Sequence, residues 1–351
     1  MWFTFPVEFV YNKNITKEEP SVEMYYEQYR KKGRKPPPEE RLSPGGWLIS
    51  LLLRLVALTA AIALLAGALL YVLPPSMFAV EPEGANLSLT DGLPMDVINV
   101  LLLGTDVENS GIQRSDAMLI ASIGFGKFKL TSVIRDTLVN IPGHGQNKLN
   151  AAYAYGGPEL VMRTINETFG LNLMHYAQVD FAALAAVVDA IGGVVIPEIS
   201  QGEMEYINEN TRKSGKVFAP LGYVPQELTR YGQNIRLDGL QALSYARIRK
   251  IGNDYGRAER QRTVINAIVE RVRANLWNPV MISRLLKAVM ASVNTNMSAL
   301  QVMSLGEKAL MVGRAETFQL PVKGAYTDDG SKIILDNRTA CRDAFIRFVY
   351  N

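Results

Sequence analysis

From Trp47 to Leu73 the chain is apolar apart from Arg54 and a few small polar residues. That run exceeds the roughly 20 residues needed to cross a bilayer core, so it reads as one transmembrane helix and not as part of a folded domain. Its flanks orient it. Arg30, Lys31, Lys32, Arg34, Lys35 and Arg41 precede it, whereas no Lys or Arg follows until Arg114 and the interval holds Glu81, Glu83, Asp91 and Asp96. Because positive charge is retained on the inner side, residues 1–46 are expected to form a cytoplasmic arm, 47–73 the span, 74–94 a linker and 95–351 an extracytoplasmic domain. Arg54 lies close enough to the inner end to snorkel to the headgroups. The long preceding tail argues for a retained anchor over a cleaved signal peptide, and Pro74-Pro75 stops the helix. The arm, with its mixed charges and Pro36-Pro37-Pro38, reads as loosely ordered.

Beyond the linker the pattern is α/β. Val97 to Leu103 is a nearly continuous apolar run ending at Gly104, as expected of a central strand covered on both faces. Ala117–Ile123 and Phe128–Ile134 are two more strands, joined by Gly124-Phe125-Gly126-Lys127 in what should be an antiparallel hairpin. The sheet is therefore mixed. Helices are expected over Pro158–Phe169, with Gly170 past its end, and over Phe181–Ile191, capped by Asp180 and stopped by Gly192-Gly193. Val194–Ile196 should be a short strand. Asp238 caps a helix to about Ala246, a long helix runs from about Arg257 to Leu276, and Phe318–Val322 and Lys332–Leu335 are late strands.

Few residues are available for covalent chemistry. A single cysteine, Cys341, excludes an intramolecular disulfide, and two histidines, His144 and His175, leave little room for a zinc site. A net charge of only +3 is too balanced for a generic nucleic-acid binder. The conspicuous cluster is Tyr245-Ala246-Arg247-Ile248-Arg249, a short Gly/Asn/Asp turn, and Gly256-Arg257-Ala258-Glu259-Arg260-Gln261-Arg262, which places five arginines and a glutamine around one loop. Guanidinium donors match phosphate oxygens. Val264, Ile265, Ile268 and Val272 define the buried stripe of the long helix, and at 3.6 residues per turn Arg257 and Gln261 fall on that stripe while Glu259 faces away. Arg260 is at the border and Arg262 is expected in solvent. Charge aimed inward requires either an anionic ligand or an ion-pair network that staples the loop.

Asp106 follows the first strand and Asp116 immediately precedes the second. If those strands are neighbours, both acids reach one edge of the sheet, where they could share a hard divalent ion with substrate phosphates; the alternative is that each is a turn residue. Arg135-Asp136-Thr137 follows the third strand directly and brings another arginine to the same rim, or forms an ordinary surface ion pair. His144 reads as a loop residue.

These residues carry a resemblance. Asn99 to Asp106, Arg114-Ser115-Asp116, Arg135-Asp136-Thr137, Lys148 to Pro158, and the arginine segments Tyr245–Arg249 and Gly256–Gln261 resemble, in order, the motifs of the LytR-CpsA-Psr family over roughly residues 95 to 275. The resemblance implies an extracytoplasmic three-layer α/β/α sandwich behind one transmembrane helix. It also implies a phosphotransferase of the Gram-positive envelope that moves a teichoic acid, capsular or other wall glycopolymer from an undecaprenyl diphosphate carrier to a peptidoglycan hydroxyl. On that likeness Asp106 and Asp116 would hold Mg²⁺, or Mn²⁺ in its place, and Arg114, Arg135, Arg247, Arg249, Arg257 and Gln261 would bind the diphosphate. Asp254 would activate the attacking hydroxyl, with Arg247 and Arg249 beside it in the catalytic set. The partners implied are the donor, peptidoglycan and the cytoplasmic membrane, and not nucleic acid, since the arm has no helix-turn-helix pattern. Phosphoryl transfer rests on positioning and charge neutralisation, which suits a chain poor in Cys and His. The lipid needs an apolar groove, and the small residues Ala182, Ala185, Ala186 and Val187 leave room for one. A polyprenyl diphosphate pyrophosphatase or a non-catalytic lipid-binding regulator of the envelope would use the same arginines.

Overall fold

Strand β1 (Val97–Val107) is buried along most of its length because it lies inside a sheet covered on both faces. Val97, Leu101 and Leu103 face one core, and Ile98 and Val100 the other. The computed structural model describes Gly67 and residues 86–107, 113–124, 126–219, 222–248, 251 and 254–351. The arm, the span and most of the linker read from the sequence lie outside them, and among the described residues no helix is long and apolar enough to cross a membrane.

The expected hairpin is present. Strand β2 (Gln113–Gly124) pairs antiparallel with β1 on one side and with β3 (Lys127–Val133) on the other, and Gly126 takes the positive φ of 67° that the tight turn needs. Both β1 and β2 run further than their apolar cores suggest, so Asp106 and Asp116 lie within strands and not in flanking turns. On the far side of β1 lies the parallel strand β6 (His175–Asp180), reached through helix α1 (Ala151–Phe169). Strands β9 (Val293–Thr295) and β10 (Glu316–Leu320) complete a mixed sheet in the order β10-β3-β2-β1-β6-β9.

Helix α1 starts earlier than expected but is broken at Gly156 and Gly157, whose backbone is not helical; the regular part begins at Pro158 as the proline dictates. It covers one face of the sheet together with α8 (Arg338–Tyr350), whose Cys341, Phe345 and Val349 are fully buried. The other face is covered by α5 (Asp254–Arg273) and α7 (Ala299–Val312), through Ile265, Val269, Leu305 and Ala309. The polar exception in β1, Asn99, is satisfied in the core: its Nδ2 donates to Asn172 Oδ1 at 2.9 Å and to the Tyr350 hydroxyl at 2.8 Å, and its Oδ1 accepts from Ser122 Oγ at 2.7 Å.

A second core sits beside the sheet. Helix α2 (Phe181–Ala190) is capped by Asp180, whose carboxylate accepts from the Ala183 N–H at 2.7 Å, as its sequence signal indicates. The pair β7 (Val194–Ile199) and β8 (Gly232–Leu237) encloses, with α3 (Gln201–Phe218) and α4 (Gly239–Ala246), a cluster that includes Ile196, Ile207, Ile235 and Tyr245. Asp238 caps α4 in a reciprocal box with Gln241. Helix α6 (Pro279–Ser292) lies against α2. Strands β4 (Thr137–Ile141), β5 (Gly145–Lys148), β11 (Tyr326–Asp328) and β12 (Ile333–Leu335) form a small separate sheet.

Candidate functional site

Three features converge where β1 and β6 end and β2 begins. The first is a break in register. Gly104 stands opposite Ala117 and Thr105 opposite Ser115, leaving Asp116 as the extra residue of a β-bulge, and Asp106 pairs with Arg114 one step further. The Ser115 hydroxyl spans the bulge to the Ala117 carbonyl at 2.9 Å. Asp106 and Asp116 thus occupy the same end of two neighbouring strands, as the sequence required of a shared site. The side chains of Asp106, Arg114, Asp116 and Asp254, and the whole of Arg249, lie outside the described residues; Asp254 is the first residue of α5.

The second feature is an apolar cavity of about 270 Å³ between the sheet and helices α2, α4, α5 and α6. Leu102, Gly104, Ala117 and Leu119 form its floor, Phe181, Leu184, Val187 and Leu243 its walls, and Ile265, Ile268 and Val289 its far side. Gly104 keeps the floor flat: a Cβ there would stand 3.0 Å from the Ala117 Cβ. The groove expected along α2 exists, but with different lining. Val187 faces it, whereas Ala185 is fully buried against α4, where a Cβ on Gly239 would meet the Ala185 carbonyl at 2.3 Å. Asp180, Arg247 and Gln261 are the polar members of the lining. Arg247 caps the end of α4, with its guanidinium 4.1 Å from the centroid of the Phe181 ring.

The third feature is a recess that shares Ala117 and Gln261 with the cavity and adds Ser132, Ile134, Arg135 and Arg257. It encloses only about 10 Å³, so an anion of any size would lie across its mouth. Arg257 is 5% exposed and points inward from the first turn of α5, as its helical phase indicates. Arg135 Nε donates to Asp136 Oδ2 at 3.2 Å, and Lys148 Nζ holds the other carboxylate oxygen at 3.0 Å. The ion pair read as an alternative role for Arg135 is therefore real, and the same arginine lines the recess.

Arg260 and Arg262 are held by partners in other elements. Arg260 Nη1 meets Glu203 at 3.3 Å, and its Nη2 donates to the carbonyls of Ile248 and Ile251 at 3.0 and 2.7 Å, pinning the loop that carries Arg247. Arg262, expected in solvent, instead reaches the sheet: its Nη1 donates to Ser132 Oγ at 2.6 Å and its buried Nε has no hydrogen-bond partner. Burial pulls its pKa below the ordinary guanidinium value. Of the apolar stripe, Val264, Ile268 and Val272 face the second core, but Ile265 packs with Val269 on the sheet, so a residue one or two turns before them on that side, such as Arg262, still meets protein.

A model of the LytR_cpsA_psr family matches residues 81–342. The chain belongs to the LytR_cpsA_psr family. Among curated relatives, regulatory protein MsrR of Staphylococcus aureus is 29% identical over 252 residues, which cover 69% of this chain and 71% of MsrR. Polyisoprenyl-teichoic acid–peptidoglycan teichoic acid transferase TagU of Enterococcus faecalis is 38% identical over 208 residues, 57% of this chain and 61% of TagU. A solved structure described as TagT bound to LI-WTA superposes with a TM-score of 0.58 at 24% identity, covering 77% of this chain and 97% of that one; the likeness shows a common fold.

Within this LytR_cpsA_psr domain, the sequence points to neither Phe181 nor Ser132 as a site residue, and to Lys148 only weakly. Phe181 was legible as the first residue after a helix cap, the position that faces back along the preceding strand. Ser132 gives no local signal and Lys148 only a weak one, its place after a Gly-rich loop, since their roles come from Arg262 and Asp136 in other elements. His144 is the loop residue it was read to be, stacked on Tyr155 with ring centroids 4.4 Å apart, and His175 is buried within β6.

Proposed function

We propose that this protein transfers a teichoic-acid-class glycopolymer from a polyprenyl diphosphate carrier to a hydroxyl of peptidoglycan. The observation that carries the reading is the adjacency of two unlike surfaces: an apolar cavity shares Ala117 and Gln261 with a recess lined by Arg135 and Arg257. Such a site is complementary to an amphiphile with a long apolar chain and a polyanionic head. The printed name of TagU, which is more than a third identical over its matched region, supports teichoic acid as the cargo and peptidoglycan as the acceptor.

In this reading the lipid chain lies against Leu184, Val187, Ile268 and Val289, and Arg247, Arg257, Arg135 and Gln261 bind the diphosphate oxygens, with Arg114 and Arg249 as further donors. The acceptor oxygen forms a bond to the phosphorus on the sugar side, the bridging P–O bond breaks, polyprenyl monophosphate leaves, and the hydroxyl proton passes to a base, for which Asp254 at the start of α5 is the candidate. Fixed guanidinium groups act by neutralising the charge that builds on the leaving phosphate. Asp106 and Asp116, hard oxygen donors at the same end of adjacent strands, fit a divalent cation, and Mg²⁺ held there would add to that neutralisation. The reading places the chain in the cell membrane, with the arm inside and the domain outside.

The test is transfer by the purified protein of a synthetic lipid-diphosphate glycan to peptidoglycan oligomers with Mg²⁺, beside Asp106→Ala and Arg247→Ala. An adduct formed by the parent and lost in both variants supports the transferase. Release of lipid phosphate without an adduct points to a hydrolase, and lipid binding without turnover to a regulator.

A further inference from the structure

We propose that the outward face of α6 is a membrane-docking surface that lies in the headgroup region of an anionic leaflet. The helix is two-sided. Met281 and Val289 face the second core and the cavity. On the other side Val280 is 58% and Met290 67% exposed, Leu286 joins them, and Trp277 stands 79% exposed just before the cap residue Asn278. Scattered apolar residues on a surface mean little, but three large ones on one helix, with an exposed tryptophan just before its start, give it an apolar outward side that calls for a cover.

Charge selects the cover. Arg284 and Lys287 are exposed on the same outward side, and α6 contains no Asp or Glu. A helix with an apolar face, an aromatic at its end and basic residues beside it has the composition that lies in an anionic bilayer interface. A second copy packed on this face about a two-fold axis would set these cations against each other. The chain between the expected span and the first described loop residue, 74–85, reaches about 40 Å at full extension, which lets the domain contact the leaflet. Docking there would set the cavity, which α6 also walls, beside the acyl region that holds a polyprenyl chain; this last consequence rests on the whole proposed function, the docking itself only on its membrane placement.

The test uses Trp277 as reporter. The full chain has three tryptophans, so Trp2→Phe with Trp47→Phe leaves Trp277 alone. Reconstituted in nanodiscs of phosphatidylglycerol with brominated acyl chains, its fluorescence should be quenched severalfold more than in phosphatidylcholine nanodiscs, and Arg284→Glu with Lys287→Glu should abolish the difference. Absence of bromine quenching would overturn the proposal, as would a blue-shifted emission insensitive to bromine, which would indicate cover by protein. Val280→Asp with Met290→Asp, both at exposed positions, should lower transfer from a nanodisc-embedded long-chain donor severalfold while leaving transfer from a water-soluble short-chain donor intact. Quenching needs no turnover, so a failed transfer reaction leaves the docking result readable.

Discussion

The Arg247 guanidinium lies 4.1 Å from the centroid of the Phe181 ring, joining the end of α4 to the start of α2 at the polar end of the cavity. The ring fixes the plane of the guanidinium at the polar end of the cavity lining. A cation over an aromatic face contributes about 0.5–2 kcal/mol. Phe181→Leu, which keeps the apolar wall, is therefore expected to weaken donor binding by roughly twofold to thirtyfold. The effect should appear in KM more than in kcat, read from initial rates over a range of donor concentrations.

Arg260 acts differently from its neighbours in sequence. It joins Glu203 on α3 to the carbonyls of Ile248 and Ile251, and it is almost fully buried. Removing one member of a buried pair strands the other, at a cost of about 3–5 kcal/mol. Arg260→Met should lower the denaturant midpoint accordingly, and donor affinity should fall only through loosening of the loop.

Ser132 and Arg262 offer a contrast within one contact. Ser132→Ala removes the acceptor of a 2.6 Å hydrogen bond from a guanidinium whose Nε is already unpartnered. The expected loss is about 1.5–3 kcal/mol. Replacing both ends, Ser132→Ala with Arg262→Met, should recover much of that loss, because no buried donor is then left unmet; the double-mutant cycle is read by thermal unfolding.

Tyr245 supplies a pH signature. Burial, reinforced by the nearby Glu203 carboxylate, pushes its pKa up to about 12 from the ordinary 10.0. The folded state therefore holds the phenolic proton more tightly than the unfolded state. Its contribution is fully present below pH 10 and is lost as pH rises from about 10 to about 12, an amount of roughly 2–3 kcal/mol. Other buried tyrosines contribute to the same alkaline limb, so the measurement is the difference between parent and Tyr245→Phe, which should show a shallower loss of stability over that window.

What the sequence disclosed follows from how local each signal is. The Asp180 and Asp238 caps, the hairpin at Gly126 and the apolar core of β1 are written within a few residues, and all four are present. Strand β6, by contrast, reads His-Tyr-Ala-Gln-Val-Asp, without alternation or a long apolar run, and becomes a strand because β1 provides a partner more than seventy residues earlier. Helix α3 is polar over most of its length and was missed although Ser200 and Glu203 form a capping box at its start. In the site, helical phase located Arg257 and Gln261, but phase alone misassigned Arg262, because α5 packs against the sheet as well as the second core. The bulge that sets Asp116 apart arises from a register slip between two strands and has no mark in either one alone.

The central claim, that one site takes the lipid chain in the apolar cavity and the diphosphate at the arginine rim, is tested most directly by photo-crosslinking. A polyprenyl diphosphate carrying a diazirine in its chain, bound to the protein and irradiated, should label peptides containing Leu184, Val187 and Val289, and Arg247→Ala should reduce that labelling severalfold. Labelling confined to other surfaces, or labelling of the cavity that is indifferent to Arg247 and to removal of the diphosphate, would contradict the account.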